Sequence, residues 1–480
     1  MKGNTLRSKL HRRLAGWGTL LAIAALARSA QAAPQVIDLL FQGGTVVTVD
    51  AERRVIPDGA VAVDRGRIVG VGVNAELRAR FTPRRVVDAH GTIVMPGLVN
   101  AHTHAPMVLL RGMADDLKLK EWLEGHIFPA EKAGVTAEFV SVGTRLAALE
   151  MLLSGTTTFA DMYYFEEQVA EAAREAGLRC VAGETLIEFP APDNASVAEA
   201  LAYSERFLKH FEGDRLVTAA VAPHSVYLAG PETWRAVRSL ADRFQAPILT
   251  HLSETREEQE QIHQRYGKTP TELLADLDVL RPGLAVAHGV WLSASDRATL
   301  KAKGVGVVHC PQSNMKLASG AAPVQAMLAE KLLLGLGTDG AASNNDLDMF
   351  EEMLTAALLA KHTTGDPTAA PAAAVLEMAT LGGARALGLA DRIGSIEVGK
   401  RADLIVVSLS APRLHPLFDP VSHLVYAVKG ADVRDVCVDG ELVVRDRQVL
   451  RLDAARVVAE AERAKADLVR RLLPTRTQGR

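Results

Sequence analysis

Eight short apolar or β-branched runs, each followed by a helix-like stretch, recur between residues 93 and 340. They read IVMPGLVN (93–100), GTTTFADM (155–162), RCVAGET (179–185), LVTAAVAP (216–223), PILTHL (247–252), LAVAHGV (284–290), VGVVHCP (305–311) and LLLGLGTDG (332–340). Charged, Ala/Leu-rich segments such as VAEALAYSERFLKHFEG and ETWRAVRSLADRF lie between them and suit amphipathic helices. Eight strands alternating with helices predict an α/β fold, a (β/α)8 TIM-like barrel over 93–393, with a doubly wound sheet as the alternative.

The flanks have another texture. Residues 33–92, with VIDLLFQGGTVVTVD and GAVAVDRGRIVGVGV, and residues 394–450, with GSIEVGKRADLIVVS and VCVDGELVVRDRQVL, are short alternating strands broken by Gly and Asp turns. They predict one small β-sandwich domain built from both ends of the chain. Residues 451–480 carry the amphipathic stretch DAARVVAEAERAKADLVRRLLP, expected to form a closing helix and tail.

Histidine is placed selectively against this frame. Six of the 14 histidines, His102, His104, His224, His251, His288 and His309, sit at the C-terminal ends of the runs, and Asp339 ends the eighth. The active sites of such barrels are assembled at that face from the ends of several strands. His102 and His104 are one residue apart, so on an extended strand their rings share a face. His102, His104 and His251 offer nitrogen and Asp339 offers oxygen, a donor set suited to Zn²⁺, with Fe²⁺ or Mn²⁺ as alternatives. Such a metal lowers the pKa of its water from about 15.7 to roughly 7. Attack by hydroxide then needs a base and an acid. His288 and Asp339 are the candidate bases, and Glu254, three residues after His251 in HLSE, is the candidate acid.

Other residues have plainer readings. His309 is a structural or supporting residue, with metal ligation the alternative. His90, His126, His210, His263, His362, His415 and His423 lie away from strand ends and are read as non-catalytic. Trp122, Phe128 and Trp291 are candidates for lining a flat pocket or for ordinary packing. The fourth run and its continuation, LVTAAVAPHSVYLAG, hold no lysine to bridge two metals, which favours a single ion.

The first 32 residues have a basic start, an apolar stretch from Trp17 to Ala27 and the triplet Ala30-Gln31-Ala32. This is the pattern of a cleavable signal peptide, too short in its apolar part for a stable anchor. Its removal would take away six basic residues and no acidic one, moving the formal charge from −3 to −9. The expectation is an exported, periplasmic protein that binds no nucleic acid and keeps no membrane anchor. Cys180, Cys310 and Cys437 are far apart and give neither a thiolate zinc site nor a disulfide framework.

Six stretches, PGLVNAHTHAPMVLLRGMADDLKLKEWLEGHIFPAE, APHSVYL, HLSET, AHGVWL, HCPQSNMKLASG and GTDGAASNNDLDMFEEM, occur in an order that resembles the amidohydrolase superfamily. Within it the chain is most similar to the branch that deaminates 5'-methylthioadenosine and S-adenosylhomocysteine. The resemblance covers about residues 36 to 450. It implies one Zn²⁺ on His102, His104, His251 and Asp339, with Glu254 moving a proton to the purine ring and His288 helping Asp339 with the water proton. It further implies that Glu131, in FPAE, bonds the ribose hydroxyls and that His224, in PHS, contacts the substrate. Homo-oligomers are common among such barrels. The stretch CVAGETLIEFPAPDNASV departs from the pattern: it has no arginine where relatives can hold the sugar or its tail, and Glu184 stands at the strand end. The expected reaction is hydrolytic deamination of an adenine nucleoside. Alternatives are another heterocycle (guanine, a pterin or an s-triazine) and a metal- or nucleoside-binding protein without catalysis.

Overall fold

A computed structural model describes residues 34–472; the expected leader over residues 1–32 and the last eight residues lie outside that range. Eight parallel strands form the barrel: β1 (Leu98–Thr103), β2 (Thr156–Tyr163), β3 (Arg179–Leu186), β4 (Val217–Pro223), β5 (Ile248–Leu252), β6 (Leu284–His288), β7 (Gly306–His309) and β8 (Leu333–Leu336). Neighbours in sequence are neighbours in the sheet throughout. Nearly every residue of these strands is buried, because helices cover the outside and side chains fill the inside. The pleat divides the work. In β2 Phe159 packs outward while Ala160 and Met162 face the lumen, and in β6 Val286 packs outward while Ala285 faces in.

Side chains and one backbone bond complete the ring between β8 and β1. Asn100 donates to Thr338 Oγ1 at 2.7 Å and accepts from Thr338 N at 2.9 Å, and Asp339 N donates to His102 O at 3.0 Å. A methyl group at Gly337 would come within 2.7 Å of His102 N, so only glycine permits this approach.

The flanking strands form one nine-stranded mixed sheet from both ends of the chain. Here the structure corrects the first apolar run. Residues 93–100 are two strands in two sheets, divided at Pro96-Gly97: Thr92–Pro96 pairs antiparallel with Leu404–Ser408 and parallel with Gln35–Val47, and only Leu98 onward enters the barrel. Both halves are equally apolar, so composition does not separate them. The expected helices are present as Val197–His210 and Pro231–Phe244, and the closing helix Ala454–Leu472 packs on Ala137–Leu153. Among the described residues, no helix is long and apolar enough to cross a membrane.

A buried ionic knot joins the flanking sheet to the base of the barrel. Arg179, on the first residue of β3, is 1% exposed and donates to both oxygens of Asp403 at 2.8 and 3.1 Å. Asp439, 2% exposed, is approached by Arg179, Arg215 and Arg401. Removing one partner of a buried pair strands the other charge away from water. Arg179→Met is therefore expected to cost about 3–5 kcal/mol. Lys465→Ala, which removes an exposed pair with Glu462, should cost less than about 1 kcal/mol. Urea unfolding of the two variants compares them, and equal midpoints would contradict this reading.

Candidate active site

The C-terminal rim of the barrel gathers the histidines. His102 is the next-to-last residue of β1 and His104 follows the strand, in a stretch where the register with β2 slips between Asn100 and Thr103. His251 has the inward parity of Leu249 on β5. His288 has the outward parity of Val286, but its backbone turns left-handed, with φ of +74°, and the ring reaches the rim 5.5 Å from that of His102. Asp339 is also left-handed, with φ of +65°. A left-handed non-glycine backbone costs roughly 1–2 kcal/mol, and two such residues stand side by side at this rim.

Hydrogen bonds to carbonyls fix two of the rings. His104 Nδ1 lies 2.6 Å from Met162 O, and His251 Nδ1 lies 2.7 Å from His224 O. A carbonyl only accepts, so each Nδ1 carries a hydrogen, and Nε2 is the nitrogen left to offer a lone pair to a metal. Those nitrogens face each other across 3.2 Å. Burial, reinforced by neighbouring imidazoles, holds the pKa of His102 and His251 well below the ordinary value. His102 Nε2 is buried without a protein partner.

A cation between these atoms satisfies all of them. Tetrahedral ligands at zinc bond lengths stand about 3.3 Å apart. His104 Nε2 is 3.3 Å and His102 Nε2 3.7 Å from Asp339 Oδ1. Ligand atoms of His102, His104 and His251 lie within 4.8 Å of one another, as do those of His102, His288 and Asp339. Burial raises the Asp339 pKa, but His104, His102 and His288, with the Ser313 hydroxyl, outweigh it and hold the group ionised. The donor set fits a divalent metal.

Glu254 and His288 complete the rim. Glu254 is 4% exposed, and its Oε2 faces His288 Nε2 at 3.7 Å. Burial raises the Glu254 pKa against the opposing effect of His288. For His288 burial acts downward, and Glu254 and Asp339 more than offset it, so its pKa is raised. The two groups thus meet in one buried contact, and each shifts the protonation equilibrium of the other.

Glu131 is buried and accepts from Tyr163 Oη at 2.7 Å; burial lifts its pKa to about 7. Tyr163 ends β2, and its ring stands 6.4 Å from that of His104, which links Glu131 to the histidines that could hold a metal. The His224 ring is 4.6 Å from that of His251, and burial brings its pKa down to about 3. His309 is buried with neither ring nitrogen paired, and it falls outside both ligand groups. Trp291 is engaged by Ser319 O at 2.9 Å and by the Arg256 guanidinium over its ring. Phe128 meets the edge of Phe189 with ring centroids 5.3 Å apart, and Trp122 is buried. These aromatics do not form one cluster. Glu184 is wholly buried and accepts from Asn194 Nδ2 and Glu166 N, so it serves the loop rather than a ligand's tail.

Several supporting residues escaped the sequence reading. Asp161 accepts from Thr103 Oγ1 at 2.6 Å and Ala105 N at 2.5 Å, on either side of His104. Glu258 accepts from the backbone N–H groups of Ser253 and Glu254. Ser313 donates to Asp339 Oδ2 at 2.7 Å, which leaves Oδ1 toward the histidines. Ser313 was in view within HCPQSNMKLASG, and only its spatial neighbours reveal what it does.

Comparison with known proteins matches residues 93–443 to the model of the amidohydrolase family. A 5-methylthioadenosine/S-adenosylhomocysteine deaminase from Syntrophobacter fumaroxidans is 49% identical over 421 residues, covering 88% of this chain and 96% of the relative. A 5'-deoxyadenosine deaminase from Methanosarcina acetivorans is 45% identical over 437 residues, covering 90% and 99%. The crystal structure of a zinc-bound adenosine deaminase from Xanthomonas campestris superposes with a TM-score of 0.90 at 43% identity, covering 91% of this chain and all of that one. With its barrel, its histidine and aspartate rim and these matches, the chain belongs to the amidohydrolase family and is a metal-dependent hydrolase.

Proposed function

We propose that the protein is a zinc-dependent aminohydrolase that converts an adenine nucleoside and water to the inosine-type nucleoside and ammonia. The observation that carries this reading is that Glu254 faces His288 at the same rim where His102, His104, His251 and Asp339 come together. Relatives at 45–49% identity that deaminate 5'-modified adenosines support the substrate class.

His102, His104, His251 and Asp339 would hold the ion. Zinc at such a site makes hydroxide available by lowering the pKa of water to roughly 7. The chain supplies the rest. Glu254 places its carboxyl proton on the purine ring nitrogen next to the carbon under attack, which lets that carbon accept the oxygen. His288 and Asp339 take the water proton and pass it to the departing amino group. The carbon–nitrogen bond breaks, a carbon–oxygen bond replaces it, ammonia leaves, and the remaining hydroxyl proton returns to Glu254 as the carbonyl forms. Glu131 accepts hydrogen bonds from the ribose hydroxyls, and His224 contacts the substrate from β4.

The 180–197 segment offers no guanidinium, and Glu184 is used internally. Adenosine, 5'-deoxyadenosine and 5'-methylthioadenosine therefore suit the site better than S-adenosylhomocysteine with its charged tail. Export to the periplasm is part of the proposal and rests on the N-terminal sequence alone; it would make the substrates extracellular nucleosides.

Ammonia release from these nucleosides, and from guanine and melamine-type triazines, tests the reading; turnover of free bases alone would overturn the substrate. Glu254→Gln is expected to lower kcat about 10²–10⁴-fold while zinc content stays at one ion per chain. Glu131→Gln should raise KM or abolish turnover for nucleosides and leave any free-base turnover intact, so equal losses on both would remove the ribose assignment. Chelation should abolish activity, and stoichiometric Zn²⁺ should restore it.

A further inference from the structure

The segment HCPQSNMKLASG, residues 309–320, supplies no atom to either ligand group, yet three of its side chains reach the rim. It runs from the end of β7 through the short helix Pro311–Lys316 to Gly320. Ser313 Oγ donates to Asp339 Oδ2 at 2.7 Å, Asn314 Oδ1 lies 2.9 Å from His288 Nδ1, and Ser319 Oγ lies 3.4 Å from Glu254 Oε1. Their partners are the three groups assigned to proton handling, just after β5, at the end of β6 and just after β8, and all three supporting residues are buried.

We propose that this one turn is the positioning element for the proton-handling groups, and that Asn314 within it sets which nitrogen of His288 is free to take a proton. The inference rests on the deamination reading.

A neutral imidazole has one N–H and one lone pair. Nε2 of His288 is the nitrogen that faces Glu254 Oε2 and the rim. To accept a proton there it must hold its lone pair there, which puts the hydrogen on Nδ1 and requires an acceptor beside Nδ1. Asn314 Oδ1 is that acceptor. The rest of Asn314 argues the same way. Its Nδ2 is buried without a partner, and the side chain is 0% exposed. An unpaired buried amide N–H is a cost that leucine, of similar size, would avoid. The side chain's single hydrogen bond is thus the one to His288. The left-handed backbone of His288 makes the constraint more necessary, because the ring leaves the regular course of its strand and needs a partner to define its orientation.

Asn314→Leu removes the acceptor while keeping the shape, and Asn314→Asp keeps an acceptor. For the zinc-loaded proteins, kcat and KM on the best nucleoside and the zinc dissociation constant by chelator competition are measured together. The leucine variant should lose about 100-fold in kcat, with KM and zinc affinity within about threefold of the parent, and the aspartate variant should regain at least about tenfold of the loss. Parental kcat in the leucine variant, a parallel loss of zinc, or an aspartate variant no better than leucine would each overturn the proposal. The last outcome would mean that the amide nitrogen, not the oxygen, faces the ring. Long-range ¹H–¹⁵N spectra of the His288 ring give a readout without turnover. Protonated Nδ1 in the parent and the aspartate variant, lost in the leucine variant, supports the proposal, and an unchanged tautomer in the leucine variant overturns it. A parent inert on every nucleoside would strike the substrate reading, and these spectra would still decide the role of Asn314.

Discussion

Everything at the rim depends on how the barrel ring is completed. Seven of its joints are strand pairings, and the eighth is made where β8 meets β1 by Asn100, Thr338 and the bond from Asp339 N to His102 O. That last bond runs between two residues of the proposed donor set. Closure of the fold and assembly of the donor set are therefore a single event: the backbone cannot drift at this joint without carrying His102 away from Asp339. Gly337 has no side chain because the space is already taken by the backbone of His102.

The electrostatics follow from the same enclosure. Withdrawn from water, imidazoles resist protonation and carboxylates resist ionisation. The rim uses both tendencies. His102 and His251 are pushed to keep their lone pairs, while Glu254 is pushed toward keeping its proton. Asp339 alone is surrounded by enough positive or polar hydrogen to stay charged despite burial. Opposite roles for two carboxylates thus arise from what stands next to each, with no difference in their exposure large enough to explain it.

Much of this was legible in the sequence because buried parallel strands are apolar on both faces and stand out as runs, and because histidines at their ends are conspicuous. The flanking sheet was legible as texture but not as pairing. The strand Thr92–Pro96 reads like its barrel neighbour, and only the distant segment Leu404–Ser408 shows to which sheet it belongs. The eight proposed site residues could be named, whereas what orients them could not. Met162 and His224 act on the neighbouring rings through their carbonyls, which every residue has. Glu258, Asp161 and Asn314 act through contacts that spacing along the chain does not reveal. Glu184 shows the opposite error, a carboxylate at a telling position that is consumed by its own loop.

The ionic knot beneath the barrel has a consequence for how the molecule is made. Arg179 belongs to the third barrel strand, and its carboxylate partners, Asp403 and Asp439, are synthesised more than two hundred residues later. Until they arrive, the base of the barrel holds an unneutralised guanidinium, and Thr92–Pro96 lacks the strand Leu404–Ser408 that should lie against it. Vectorial synthesis therefore delivers the whole catalytic rim before it delivers the parts that make the scaffold beneath it electrically tolerable. The two ends of the polypeptide act as a latch, and a ribosome must release nearly the full chain before that latch can engage.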